Sequence, residues 1–215
     1  MAVDPRKRQK KLERKKAKQK AERRDLARRE PQGMALRLAS AARYPVLHCC
    51  MVSELWEKGI GNVLISRQLP RGEVAFVAFL VDVYCLGVKD VILQVAPRAS
   101  YQEKMYDRLA DRYELTSLKP ECARKLVEGA VQYALDLGLS PHPDYRVAKA
   151  IFGDVSPEAC RESYTYGKDG KPFFFAGPYD DHARCTYILR SLHEHCGPDG
   201  YHYVLPLQGP LEIPE

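Results

Sequence analysis

Between Tyr44 and Val95 the chain is a succession of short apolar runs, rich in β-branched and aromatic residues and separated by turn signals. "PVLHCCMVS" (Pro45 to Ser53), "GNVLISRQL" (Gly61 to Leu69) and "EVAFVAFLVDVYC" (Glu73 to Cys85) each have the length and composition of a strand. Only Pro70-Arg71-Gly72 separates the second from the third, which predicts an antiparallel meander. Gly87 interrupts the pattern, and "VKDVILQVA" reads as a fourth strand or an irregular edge.

The third run alternates with both faces apolar. Phe76, Ala78, Leu80, Asp82 and Tyr84 fall on one side, and Val77, Phe79, Val81, Val83 and Cys85 on the other, the pattern of a central strand covered twice. Asp82 breaks it, and a carboxylate buried bare costs several kcal/mol. The bland solution is structural: Asp82 accepts backbone N–H groups from the turn at Gly87, or pairs with Lys89 or an arginine. A sharper one places Asp82 and Asp90, with Glu54 or an acid near the tail, around a divalent metal for phosphodiester chemistry. General acid or base work is the third. "DVYCLGV" resembles a stretch of protein kinases, but the chain has no glycine-rich loop before a strand lysine, no His-Arg-Asp and no Asp-Phe-Gly.

Beyond residue 100 the period changes. Tyr101 to Tyr113 reads as a helix, and "PECARKLVEGAVQYALDLG" is the clearest one, with Cys122, Leu126, Ala130, Tyr133 and Leu137 on one face, Pro120 at its start and Gly138 as its stop. "PHPDYRVAKAIFG" aligns Tyr145, Ala148 and Phe152, and "SPEAC" predicts a single turn capped by Ser156. In "ESYTYGKDGKPFFFAG" the Asp169-Gly170 pair suits a type I′ hairpin turn. Asp180 or Asp181 is placed to cap a last helix with a stripe of Cys185, Ile188, Leu192 and Cys196, and "PDGYHYVLPL" closes as an edge strand.

Charge is concentrated at one end. Of 34 Lys and Arg in the 215 residues, 14 lie in the first 30: Arg6, Lys7, Arg8, Lys10, Lys11, Arg14, Lys15, Lys16, Lys18, Lys20, Arg23, Arg24, Arg28 and Arg29. Five of the 28 acids accompany them, so 20 basic and 23 acidic residues remain for the rest. A helix that is polar all round has no packing face, so this tail, 1–33, is expected to be partly helical or disordered on its own. Its cations suit nucleic acid, RNA or DNA, through counterion release. It lacks the apolar face that a membrane surface requires.

The rest, 34–215, is expected to form one α+β domain, with a possible subdivision near 155. No apolar run is long enough to span a bilayer, which together with the absence of a leader segment predicts a cytoplasmic protein with no membrane partner. The seven cysteines mostly sit in apolar-patterned segments, the usage of buried small hydrophobes rather than of a disulfide framework. No cofactor motif is recognised, and "GIGNV" leads into a strand rather than the helix that would cradle a phosphate.

Three further motifs carry chemistry in principle. His182, Cys185, His193, His195 and Cys196 include metal-ligand types without the paired spacing of a zinc site. His48 stands beside Cys49 and Cys50, but Cys49 faces the other side of a strand and Cys50 is distant for proton transfer. Phe173, Phe174 and Phe175, near Lys168 and Lys171, either stack bases or fill two packing faces.

Taken together, the Lys/Arg tail, "YPVLHCCMVSELW", "AFLVDVYCLGVKD", "GLSPHPDY", "KPFFFAGPYDD" and "PDGYHYVLPL" resemble a set of uncharacterised bacterial proteins with the same order of segments from about residue 40 onward. The resemblance implies a basic tail before an α+β body and transfers no catalytic residue. The expected fold is an antiparallel sheet with a helical middle and a C-terminal hairpin, helix and strand. The expected function is non-enzymatic association with nucleic acid, RNA or the ribosome, through the tail; a metal-dependent nuclease or phosphohydrolase using Asp82 and Asp90 is the alternative.

Overall fold

The structure is a computed structural model that describes residues 33–177 and 180–205; the fourteen tail cations lie outside the described residues. Helix α1 occupies residues 33–41. Four strands follow as a meander, β1 (Val46–Val52), β2 (Ile60–Gln68), β3 (Glu73–Asp82) and β4 (Gly87–Pro97), with a single helical turn α2 (Leu55–Lys58) between the first two. β5 (Leu115–Ser117) adds to β1, giving an all-antiparallel sheet ordered β4-β3-β2-β1-β5. The four-stranded meander is therefore the expected one, with the fourth run a full edge strand, while β5 is an addition that the sequence pattern does not single out.

Helices cover both faces, as the two apolar sides of β3 require. On one face Val63, Ile65, Val77, Phe79 and Val81 pack under α1, α5 (Pro120–Asp136) and α6 (Tyr145–Ala148), the last continuing into a 3₁₀ turn (Lys149–Phe152). On the other, Cys50, Leu64, Phe76 and Ala78 meet Tyr101 and Leu109. Those two residues belong to α3 (Arg98–Tyr101) and α4 (Arg108–Arg112), joined without a break by a π-helical stretch, Gln102–Asp107. The expected helix over Tyr101 to Tyr113 is this composite.

Gly87 is the hinge that allows this layering. It has φ of 64°, and a Cβ there would lie 2.8 Å from the Ala130 carbonyl oxygen of α5. Only glycine takes both the left-handed turn and the contact.

A separate cluster lies at the end of α5, where Leu137 and Leu139 pack with Cys85, Leu86, Phe174, Cys185, Ile188 and Leu192. It joins α7 (His182–Cys196) to β6 (Phe173–Phe175) and β7 (His202–Val204), which pair in parallel. The expected hairpin is correspondingly short. Asp169 and Gly170 do take the positive φ of its turn, but a single antiparallel bridge, Lys168 to Lys171, closes it before the chain turns toward β7. Of the two expected caps, Asp181 serves α7, accepting the Arg184 N–H.

The cysteines depart from expectation. Cys122 and Cys160 form a disulfide that ties the start of α5 to the irregular segment after the 3₁₀ turn Pro157–Ala159. Both lie in apolar surroundings, which is why they read as core thiols; the pairing depends on a segment 38 residues downstream folding back over α5. Arg124, through the Gly153 and Val155 carbonyls, Lys125, through those of Cys160 and Glu162, and Tyr166, through that of Leu126, hold it there.

Candidate nucleic-acid interface

The C-terminal end of α1 and the face of α6 turned away from the core enclose a groove of about 670 Å³. The same periodicity that buries Tyr145, Ala148 and Phe152 sends Arg146 and Lys149 outward, one helical turn apart. Arg43 reaches the groove from just beyond α1, and Arg124 forms part of the lining from α5. Asp154 is the one acid among the described residues that line it.

The cations differ in their partners. Arg124 donates to Glu128 Oε1 at 2.8 Å and to the Gly153 and Val155 carbonyls. Arg43, Arg146 and Lys149 are exposed, and none forms an ion pair with another described residue. Beneath them Arg67 on β2 is only 6% exposed; its guanidinium donates to the Tyr44 and Phe152 carbonyls, at 3.1 and 3.4 Å, while its Nε has no partner. Burial lowers the Arg67 pKa and outweighs the opposing influence of Cys49. No described carboxylate pairs with this buried cation.

The sequence reading placed the cationic site in the tail and missed this groove. The available signal was Arg146 and Lys149 at i,i+3 on a short amphipathic helix. Arg43 and Arg124 are brought to them only by tertiary packing.

Asp82 ends β3 and is 6% exposed. Its Oδ1 accepts the backbone N–H groups of Tyr84, at 3.0 Å, and Cys85, at 2.8 Å. Burial pushes its pKa up to about 6, against the pull of those N–H groups and of Lys89 toward the charged form. Asp90, on β4, has a 61% exposed side chain, accepts the Val91 N–H and stands 3.8 Å from His142 Nε2. Glu54 pairs with Lys58. Among the described residues no three His, Cys, Asp or Glu side chains form a group able to hold a metal ion. That includes His182, Cys185, His193, His195 and Cys196.

A second cleft, of about 700 Å³, runs past Leu80, Val88, Leu139 and Ile188. At its side Lys89 reaches Asp180 Oδ2 at 3.2 Å, and the same carboxylate takes Arg184 Nε at 2.7 Å and the Gly177 N–H at 2.8 Å. Burial pushes the Asp180 carboxyl up, but these donors outweigh it and hold the group below the usual range.

His48 serves the core. Its Nδ1 is 2.8 Å from the Tyr101 hydroxyl, which donates to Ser66 Oγ, so the ring proton sits on Nδ1. Burial, then Arg98, lowers its pKa against Asp107. Burial likewise raises Cys49 to about 12 and Cys50 to about 11, which leaves both as thiols at neutral pH. Of the three phenylalanines, Phe174 is buried, Phe175 is exposed, and Lys168 lies 4.9 Å from the Phe173 ring centroid.

Comparison with protein-family models, with curated proteins and with solved structures returned no match. No described helix is long and apolar enough to cross a membrane.

Proposed function

We propose that this chain is a non-enzymatic nucleic-acid-associated protein that takes up RNA or DNA through its basic N-terminal tail. One observation carries the reading: 14 of the first 30 residues are Lys or Arg, while the remainder holds more acids than bases. Each phosphate neutralised releases condensed counterions, so a tail engaging ten phosphates gives a salt slope of about −9 on duplex DNA. Such binding positions a protein on a polyanion without reading sequence. RNA, including ribosomal RNA, is the polyanion a cytoplasmic protein meets most, and a cytoplasmic location is part of this reading. In that compartment the Cys122–Cys160 disulfide is expected to form only under oxidising conditions.

The test is titration of the full chain against generic RNA and duplex DNA at several salt concentrations, beside a truncated chain beginning at Gln32. The expected result is a steep salt slope in the full chain that is mostly lost on truncation. Equal affinity of the two chains removes the tail from the function, and absence of binding by both overturns the reading.

A further inference from the structure

We infer that the groove bounded by Arg43, Arg124, Arg146 and Lys149 is a second, folded phosphate site that carries the backbone of a nucleic-acid duplex onward from the tail. This rests on the tail-binding reading and deepens it, by locating a contact on the body and by naming the form of nucleic acid.

The first argument is charge. Among the described residues four cations line one groove against a single lining acid, Asp154. Glu128 offsets Arg124, but Arg43, Arg146 and Lys149 have no acidic partner among the described residues, and Arg67 adds a buried positive charge beneath them. A buried guanidinium loses its hydration and acts through low dielectric, so its potential is felt at the groove above it more strongly than that of a solvated side chain. An anion in the groove supplies the counter-charge that the described protein does not.

Continuity is the second argument. The last tail cation, Arg29, precedes the start of α1 by four residues, and Arg43 follows its end by two. The nine residues of α1 span about 13 Å at 1.5 Å per residue. Arg37 is exposed along the way. The tail cations and the groove are thus separated in the chain by one short helix.

The lining supplies the third. Among the described residues it has alanines 39, 42 and 150 and one aromatic ring, Phe152, which is 1% exposed. Proteins that favour single strands present aromatic faces on which unpaired bases stack. This groove presents none, so unpaired bases gain nothing there, while a duplex offers the denser row of phosphates, one charge per about 1.7 Å of axis. The duplex is therefore the preferred form and the contact is sequence-independent. Duplex RNA and duplex DNA share this chemistry.

The experiment uses full-length protein and fluorescence anisotropy over a salt series, with a 20-base-pair RNA duplex, the same DNA duplex and each single strand. Three variants are compared with the parent: Arg43→Gln/Arg146→Gln/Lys149→Gln, a chain whose fourteen tail cations are replaced by glutamine, and a chain that combines both sets of substitutions. The three groove positions are exposed, and equal thermal melting verifies that the fold is intact. The expected results are tighter binding of either duplex than of its strands, and a duplex salt slope shallower by about 2.7 in the groove variant, three contacts at about 0.9 each. The tail-neutralised chain keeps weak duplex binding that the added groove substitutions abolish. A parental slope in the groove variant, with all binding lost in the tail-neutralised chain, overturns the groove and leaves the tail reading standing. Single strands bound as tightly as duplex overturn the duplex assignment, and no binding by the parent overturns both.

Discussion

The Oδ1 of Asp82 lies 2.8 Å from the backbone nitrogen of Cys85, so the buried carboxylate that ends β3 closes the turn that leads into β4. Removing it strands the N–H groups of Tyr84 and Cys85 in surroundings from which water is largely excluded. Asp82→Ala is therefore expected to cost about 1–3 kcal/mol of stability. Asp82→Asn keeps an oxygen for both donors and costs less. Urea unfolding of the two variants measures the order; equal stability of Asp82→Ala and the parent removes the capping role.

The same residue makes stability depend on pH in an unusual direction. Its carboxyl ionises at about 6 in the fold because of burial, above the ordinary 3.8, so between those values the folded chain holds a proton that the unfolded chain has released. Stability from this group is thus full below pH 4 and is lost as the pH rises toward 6. Asp180, held below the usual range, acts oppositely: its contribution is present above the ordinary carboxylate pKa and is lost as pH falls through the folded value. Unfolding free energies of the parent minus Asp82→Asn, measured from pH 4 to 7, are expected to fall with rising pH; a flat difference contradicts the assignment.

How far the sequence anticipates these features follows from their range. Alternation along β3 is a local signal, and it places Val77, Phe79 and Val81 on one covered face and Phe76 and Ala78 on the other, as observed. The faces of α5 and α6 are legible for the same reason. The groove is not, since Arg43, Arg124 and Arg146 meet across more than 100 residues through the packing of three helices on one sheet. Phe173 to Phe175 mislead in their pairing because a type I′ turn specifies where the chain reverses but not how long the strands stay together, and β6 instead gains β7 as a parallel neighbour.

Lys89 and Asp180 fasten the edge strand to the segment entering α7, with side chains 14% and 6% exposed. A pair this enclosed is costly to break from one side, because the remaining charge stays buried. Asp180→Ala is expected to lose about 3 kcal/mol, the low end for breaking a buried pair. Lys89→Met/Asp180→Ala is expected to recover part of that loss. Arg184, with a side chain 53% exposed, shares the carboxylate from the rim, and Arg184→Gln should cost under about 1 kcal/mol. A double-mutant cycle by urea unfolding checks this, and purely additive losses would show that the two charges do not interact.

The disulfide tests the remaining long-range connection. Cys122 and Cys160 close a loop of 38 residues' separation, which includes α6 and the segment that wraps α5. In the chain-entropy account, cross-linking a loop of that size removes about 4 kcal/mol worth of freedom from the unfolded chain. The other attachments, Arg124 and Lys125 to four backbone carbonyls and Tyr166 to Leu126, do not depend on the sulfurs, so the fold survives reduction while its margin shrinks. Thiol titration in denaturant is expected to find five reactive cysteines in air-oxidised protein and seven after reduction. Reduction, or Cys122→Ser/Cys160→Ser, should lower stability by about 2–4 kcal/mol. Seven free thiols in the oxidised sample would show that the two cysteines remain unlinked, and the wrapping segment would then be held by Arg124, Lys125 and Tyr166 alone.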